Sequence, residues 1–349
     1  MPAPSRPIKV AVPQQECCFM DAEAATQKTI QIMEEVASKG VELVAFGELW
    51  LPGYPSFLYA GRMNDVFAHG IKYGNNAVEL EGPELKAIAE AAKRLRLITH
   101  VGFAERDGRS LYMANAIFDE NGNRILHRRK IKPSHYERVL FGEGGPESAI
   151  TTVETSIGRV SVLNCWEHFQ PLLKYATYHQ RPLIHIAAWP MLHPHGGAEQ
   201  WAHCADSANG VTRTVACESG AFVLCASNVI LEKGMEINRV EVNGKADAGH
   251  ITPGGGIAAI YGPDGRKLSR DIAEDEETIL YADLDPDQVR FAALVQDTIG
   301  HYSRPDIFTL VVNATPSPRV VFTDRSSAGT IAGIGPVVTL PDEEKPLLA

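Results

Sequence analysis

Strands alternate with amphipathic helices through the first hundred residues, and hairpins follow. That order suits two sheets packed face to face with helices outside. Ile8 to Val12 reads as a first strand. Asp21 is placed to cap a helix with Ile30, Met33 and Ala37 on one face and Gly40 as its stop. A strand at Leu43 follows. Residues 52–80 hold Pro, Gly and aromatics without clean periodicity, which predicts a pocket-forming loop with short helices. Gly82-Pro83 opens a helix carrying Leu85, Ile88, Ala89, Ala92 and Leu95. Strands are expected at 97–104, 114–119 and 124–129. The hairpin at Ala116–Leu126 has a faint echo at Ala259–Leu268, as two similar halves would give, although hairpins in general look alike. Later segments read as a helix over 198–218, a strand over 221–228 and a polar, Gly-rich surface excursion over 230–255. The fold class is α/β. One large domain is expected over 1–312, with an extended tail over 313–349 that ends in an acidic cluster at Asp342-Glu-Glu344.

Composition excludes some partners. The formal net charge is −10, and no basic patch interleaved with aromatics occurs, which argues against nucleic acid and anionic membrane. No apolar run approaches a membrane span, and the N-terminus lacks a signal-type apolar region. The six cysteines (17, 18, 165, 204, 217 and 225) show no Cys-x-x-Cys pair, so they read as reduced thiols of a cytoplasmic protein.

Three segments carry chemistry. Residues 159–168 run Arg-Val-Ser-Val-Leu-Asn-Cys-Trp-Glu-His. A buried strand stops at Cys165, and helical spacing starts at Phe169. A cysteine at such a bend faces the N-terminal end of a helix, where backbone N–H groups favour thiolate over thiol. A buried core cysteine is the competing reading. Leu43 to Phe46 is another buried run with Glu48 just past its end. Lys130 ends the strand that leaves the Asn121-Gly122 turn. A base, a cation for a developing anion and a nucleophile at strand ends are what acyl transfer on sulfur requires. Lys132 lies two residues beyond Lys130, so in a strand both point the same way and spacing does not choose between them. The run His127-Arg-Arg129 also permits a plain solvated basic face.

These segments resemble the nitrilase superfamily, and its nitrilase branch most closely. Leu51-Pro-Gly-Tyr-Pro55, Arg129-Lys-Ile-Lys-Pro133, Cys165-Trp-Glu-His168 and His301-Tyr-Ser-Arg-Pro305 carry the likeness, which spans roughly residues 7–310. The resemblance implies a four-layer α-β-β-α sandwich. It implies Glu48 as base, Lys130 as the cation, Cys165 as nucleophile, and Glu137 holding Lys130 and a water. Tyr54, Trp166 and Trp189 are expected on the substrate pocket, with Phe57 and His135 as weaker candidates, and His168 is expected to tune the site. Core packing is the rival account of each aromatic. Two departures stand out. Gly47 replaces the proline usual before the glutamate, which predicts a looser backbone beside the base. Arg181-Pro182 replaces a polar pair and predicts an altered turn.

The implied activity is hydrolysis of an organic nitrile, aliphatic or arylaliphatic, to carboxylic acid and ammonia through a covalent thioimidate and thioester. The alternatives are a cyanide hydratase or dihydratase and, less closely, an aliphatic amidase; a non-catalytic filament scaffold would require a decayed triad. No cofactor is implied. No metal is expected either, because His193, His195, His203 and Cys204 lack a recognised ligand spacing. The implied partners are a small nitrile and further copies of the chain, as dimers assembling into spirals with the tail against a neighbour.

Overall fold

The computed structural model describes residues 5–60, 63–192, 204–242, 245–247 and 252–316. Its strands are β1 (Ile8–Gln14), β2 (Leu43–Ala45), β3 (Ile98–Asp107), β4 (Ser110–Phe118), β5 (Arg124–Arg129), β6 (Phe141–Gly142), β7 (Thr152–Thr155), β8 (Gly158–Asn164), β9 (Ile184–Trp189), β10 (Phe222–Ser227), β11 (Val240–Val242), β12 (Lys245–Asp247), β13 (Ala259–Tyr261) and β14 (Thr278–Leu284). Its helices are α1 (Ala22–Ser38), α2 (Met63–Asn75), α3 (Pro83–Leu95), α4 (Pro171–His179), α5 (Ala205–Ser219), α6 (Glu232–Asn238) and α7 (Asp287–Val295).

Two sheets form the middle of the molecule. One has the order β14-β1-β2-β3-β4-β5, with β6 on β4; the other has the order β13-β10-β9-β8-β7. Each has three parallel strands at its centre, β1-β2-β3 and β8-β9-β10, with antiparallel neighbours outside them. Strand side chains alternate between faces, and this decides the layers. Val10, Leu43, Ile117, Val162, Ile186 and Leu224 meet between the sheets. Ala11, Val44, Phe103 and Ala114 face the other way and pack on α1 and α3. Ala187, Val223 and Cys225 face outward on the second sheet and pack on α5. The result is the expected four-layer α-β-β-α sandwich.

Local signals explain the ends. Asp21 caps α1 by accepting from the Ala24 N–H at 2.9 Å. Pro83 fills the first position of α3, where its missing N–H costs nothing. Three expectations need correction. Residues 52–80 hold the 13-residue helix α2, not only short helices. Residues 230–255 are not merely a surface excursion. Glu16 accepts from the Leu231 and Gly234 N–H groups at 2.6 and 3.0 Å, and this half-buried carboxylate anchors the start of α6. The expected helix over 198–218 starts at Ala205, with 198–203 outside the described residues. The tail expected over 313–349 is described only to 316.

Ile186 is fully buried between the sheets. Ile186→Ala is expected to cost about 2–5 kcal/mol of unfolding free energy, read from urea denaturation.

Candidate active site

Glu48, Lys130 and Cys165 each stand just past a strand, because β2 ends at Ala45, β5 at Arg129 and β8 at Asn164. Lys130 Nζ lies 2.9 Å from Glu48 Oε1 and 2.9 Å from Glu137 Oε2. All these side chains are buried. Cys165 and Glu137 lie on the wall of a cavity of about 70 Å³, together with Tyr54, Tyr59, His135 and Trp166. Tyr54 donates to Glu137 Oε1 at 2.9 Å, and the Ser134 N–H donates to Glu137 Oε2 at 2.5 Å. Glu137 is therefore fully engaged, and Lys130 is fixed between two carboxylates.

Burial dominates the electrostatics. It pushes the Glu48 carboxyl up to about 8, although the Lys130 ammonium pulls the other way. The Lys130 ammonium, 2.9 Å from Glu48 Oε1, is the charge that faces this carboxyl. Burial opposes the charge on Lys130, but Glu137 and Glu48 outweigh it and hold the ammonium well above the ordinary lysine range. Burial also pushes the Cys165 thiol well up; Lys130 pulls it down, and Glu48 and Glu137 push it up. This overturns the expected resident thiolate. The element after Cys165 is a single 3-10 turn, Cys165–Phe169, with Glu167 in its first turn, so its dipole is weak. The pair Glu48 and Cys165 is suited to proton transfer instead: a raised carboxylate accepts from a neutral thiol.

The backbone at Cys165 is strained and clamped. Cys165 adopts φ +44°, which a side chain rarely takes. Asn164 and Glu167 form a reciprocal cap, with the Asn164 N–H donating to Glu167 at 2.8 Å. Arg128 donates twice to the same carboxylate, at 2.6 and 2.8 Å, and the Ile131 N–H donates to it at 2.9 Å. One buried carboxylate thus ties the residue before Cys165 to the residue after Lys130. Arg128 is fully buried at its side chain, so the solvated basic face is not what this strand presents. Arg129 and His127 bond Glu105 from the other side of β5.

Gly47 does not loosen the backbone at Glu48. A Cβ there would fall 2.5 Å from Asn228 Oδ1 and 2.7 Å from the Trp189 carbonyl oxygen. The Glu48 N–H donates to that Trp189 oxygen at 3.1 Å, and Asn228 donates to the Glu48 carbonyl at 2.8 Å. The backbone is pinned on both sides, and Gly47 is what lets it come this close.

The other expected site residues divide. Tyr54, Trp166 and His135 line the cavity. Trp189 and His168 do not: both are completely buried behind Cys165, their rings stacked at 5.3 Å. Trp189 donates to Thr212 on α5 at 3.0 Å. Phe57 packs against Tyr73 instead of the cavity. Lys132 diverges from Lys130, because β5 ends at Arg129 and the chain turns; its exposed ammonium pairs with Glu143. Arg138 bonds the Pro133 carbonyl and not Glu137. Arg181 takes φ +53° in the turn before β9. His193, His195 and His203 lie outside the described residues. Tyr59, Glu167 and His185 carry no assigned role in the sequence reading, and Arg128 appears there only within a basic run. Only Glu167 had a local signal, the Asn-x-x-Glu spacing of a cap.

A family model described as carbon-nitrogen hydrolase matches residues 9–293. The chain is 40% identical over 329 residues to an arylacetonitrilase of Aspergillus kawachii, covering 94% of this chain and 97% of that one. It is 37% identical to a cyanide hydratase of Armillaria gallica, covering 91% and 88%. Among solved structures, a carbon-nitrogen hydrolase from Helicobacter pylori superposes with a TM-score of 0.66 at 18% identity, covering 86% of this chain and 96% of that one.

Arg128→Met strands the buried Glu167 charge. It is expected to cost about 3–5 kcal/mol in chemical denaturation, since breaking a buried pair leaves an uncompensated ion.

Proposed function

This chain belongs to the carbon-nitrogen hydrolase family, and we propose that it is a nitrilase converting an organic nitrile, aliphatic or arylaliphatic, to its carboxylic acid and ammonia. The observation that carries this reading is the buried Lys130 ammonium held 2.9 Å from each of two carboxylates beside the Cys165 cavity. A nitrile is uncharged and accepts hydrogen bonds weakly, which suits a cavity walled by Tyr54, Tyr59 and Trp166.

Cys165 attacks the nitrile carbon while Glu48 takes the thiol proton. The C≡N bond loses one π bond, and Lys130 stabilises charge on the nitrogen. Glu48 passes the thiol proton on to that nitrogen, which leaves a neutral thioimidate on the sulfur and an ionised Glu48. Water activated by Glu48 adds to its carbon, the C–N bond breaks, and ammonia leaves a thioester. A second water cleaves the C–S bond and frees the acid and the thiol. Two waters are consumed for each nitrile. The Trp166 N–H faces the Cys165 sulfur and serves the tetrahedral anions alongside Lys130. Glu137 holds Lys130 in place and acts through it.

The substrate class rests on the arylacetonitrilase relative, and the cyanide hydratase relative supports the second reading, hydration of inorganic cyanide. Self-association is part of the proposal. Phe291, Leu294 and Val295 on α7, and Ile307, Phe308 and Val311 beyond it, are exposed apolar side chains that a second copy would cover. Dimers that extend into spirals are the assembly proposed. A cytoplasmic location is supported by six free cysteines. No helix among the described residues is long and apolar enough to cross a membrane.

Ammonia release from phenylacetonitrile, mandelonitrile, an aliphatic dinitrile, cyanide and the matching amides tests the substrate. The expected profile favours organic nitriles. A profile dominated by cyanide establishes the second reading, and activity on amides alone overturns both.

The pH profile tests the base. Glu48 works when ionised, so kcat/KM is lost as pH falls through its raised value. The acid limb is expected at an apparent pKa near 8, shared with its coupled neighbours. A limb near about 4.3, the ordinary glutamate value, would contradict it.

Glu48→Gln should lower kcat/KM by about 10²–10⁴-fold. It should not lower Tm at pH 9. The folded pKa lies above the unfolded one, so this carboxyl's stabilising contribution is greatest in acid and is gone above pH 8, where the ionised form is disfavoured by burial.

A further inference from the structure

His168 and His185 are buried histidines that the chemistry above does not use. They form one chain. His168 Nδ1 lies 2.7 Å from the Cys165 carbonyl oxygen, His168 Nε2 lies 3.0 Å from His185 Nε2, and His185 Nδ1 lies 2.8 Å from Ser161 Oγ. Ser161 and His185 are register partners on β8 and β9, so the sheet itself sets their spacing.

The protons of this chain are determined by its end. A carbonyl oxygen only accepts, so His168 Nδ1 must carry a hydrogen. Burial pushes His168 down to about 4 and His185 well below the ordinary histidine range, so both rings are neutral. His168 Nε2 is then a lone pair, and His185 Nε2 must donate to it. His185 Nδ1 is in turn a lone pair, and the Ser161 hydroxyl must donate to it. Every group is satisfied in one direction, from Ser161 to the Cys165 carbonyl. Stacking on Trp189 at 5.3 Å, with planes 22° apart, fixes the plane of the His168 ring.

The peptide between Cys165 and Trp166 is planar and trans, so its C=O and N–H point in opposite directions. A donor that holds the carbonyl behind the sheet therefore aims the Trp166 N–H forward, at the sulfur and the reacting carbon. Resting on the reading of Cys165 as nucleophile, we propose that Ser161, His185 and His168 are positioning residues that orient the Trp166 N–H toward the anion formed during turnover. The strained φ of +44° at Cys165 needs such a tether. His168 thus acts from behind the nucleophile and does not touch substrate.

The test uses the full chain and the most active nitrile of the panel. His168→Leu removes the donor to the Cys165 carbonyl, while His168→Asn keeps an N–H close to the place of Nδ1. His168→Leu is expected to lower kcat by about 10²–10³-fold, as loss of one oxyanion donor does. KM should hardly change, because the bond matters only in the transition state. His168→Asn should recover most of the loss. Wild-type kcat in His168→Leu overturns the proposal, as does a change in KM alone. Equal losses in Leu and Asn variants that both keep the wild-type Tm also overturn it. Should His168→Leu not fold, Ser161→Ala decides: lowered kcat at constant KM is expected, and unchanged kcat contradicts the relay. Cys165→Ala separates the two ideas. Turnover surviving in Cys165→Ala removes the nucleophile reading itself, whereas a dead Cys165→Ala beside a fully active His168→Leu removes only the relay.

Discussion

One ammonium buried between two carboxylates is the constraint on which the proposed chemistry depends. Lys130 sits 2.9 Å from both Glu48 and Glu137 with no exposure to water. Leaving any one of these charges unpaired inside the fold would cost several kcal/mol, roughly, per ion. Together they carry a net charge of one unit, and the thiol beside them is neutral. Moving a proton from Cys165 to Glu48 leaves the net charge of the four groups unchanged. Burial, which penalises each ion separately, therefore does not oppose the transfer with which the proposed mechanism begins. This is why a thiol with a raised pKa is compatible with nucleophilic chemistry here: the base is raised as well.

The fold delivers this arrangement through strand ends. Two of the three residues follow strands of one sheet and the third follows a strand of the other, so the site spans the sandwich. A polar chain crosses beneath it: Asn115 on β4 donates to Asn164 on β8 at 3.0 Å and accepts from His100 at 3.0 Å. Arg128 and Glu167 make the second crossing. Both crossings end next to Cys165. Polar links of this kind in an apolar core fix the relative position of the sheets more narrowly than apolar packing does.

Much of this was legible in the sequence. Alternation and helical spacing revealed the sheets and outer helices, and the family likeness pointed to Glu48, Lys130, Glu137 and Cys165. What stayed hidden depends on contacts between distant segments. Spacing could not separate Lys130 from Lys132, because the choice depends on where β5 ends. Trp189 was expected at the pocket, but facing the cavity or facing the helix layer behind it are both consistent with its place at the end of β9. Gly47 read as slack because its neighbours, Trp189 and Asn228, lie far along the chain. Arg128 read as basic surface because its partner, Glu167, is 39 residues away.

The central claim is that Cys165 forms the covalent bond to substrate. Acid quenching during steady-state turnover of an organic nitrile, followed by peptide mapping by mass spectrometry, measures this directly. An acyl or imidoyl mass addition on the peptide holding Cys165 is expected. An adduct on Cys204 or Cys217 instead, or rapid turnover with Cys165 never modified, would contradict it.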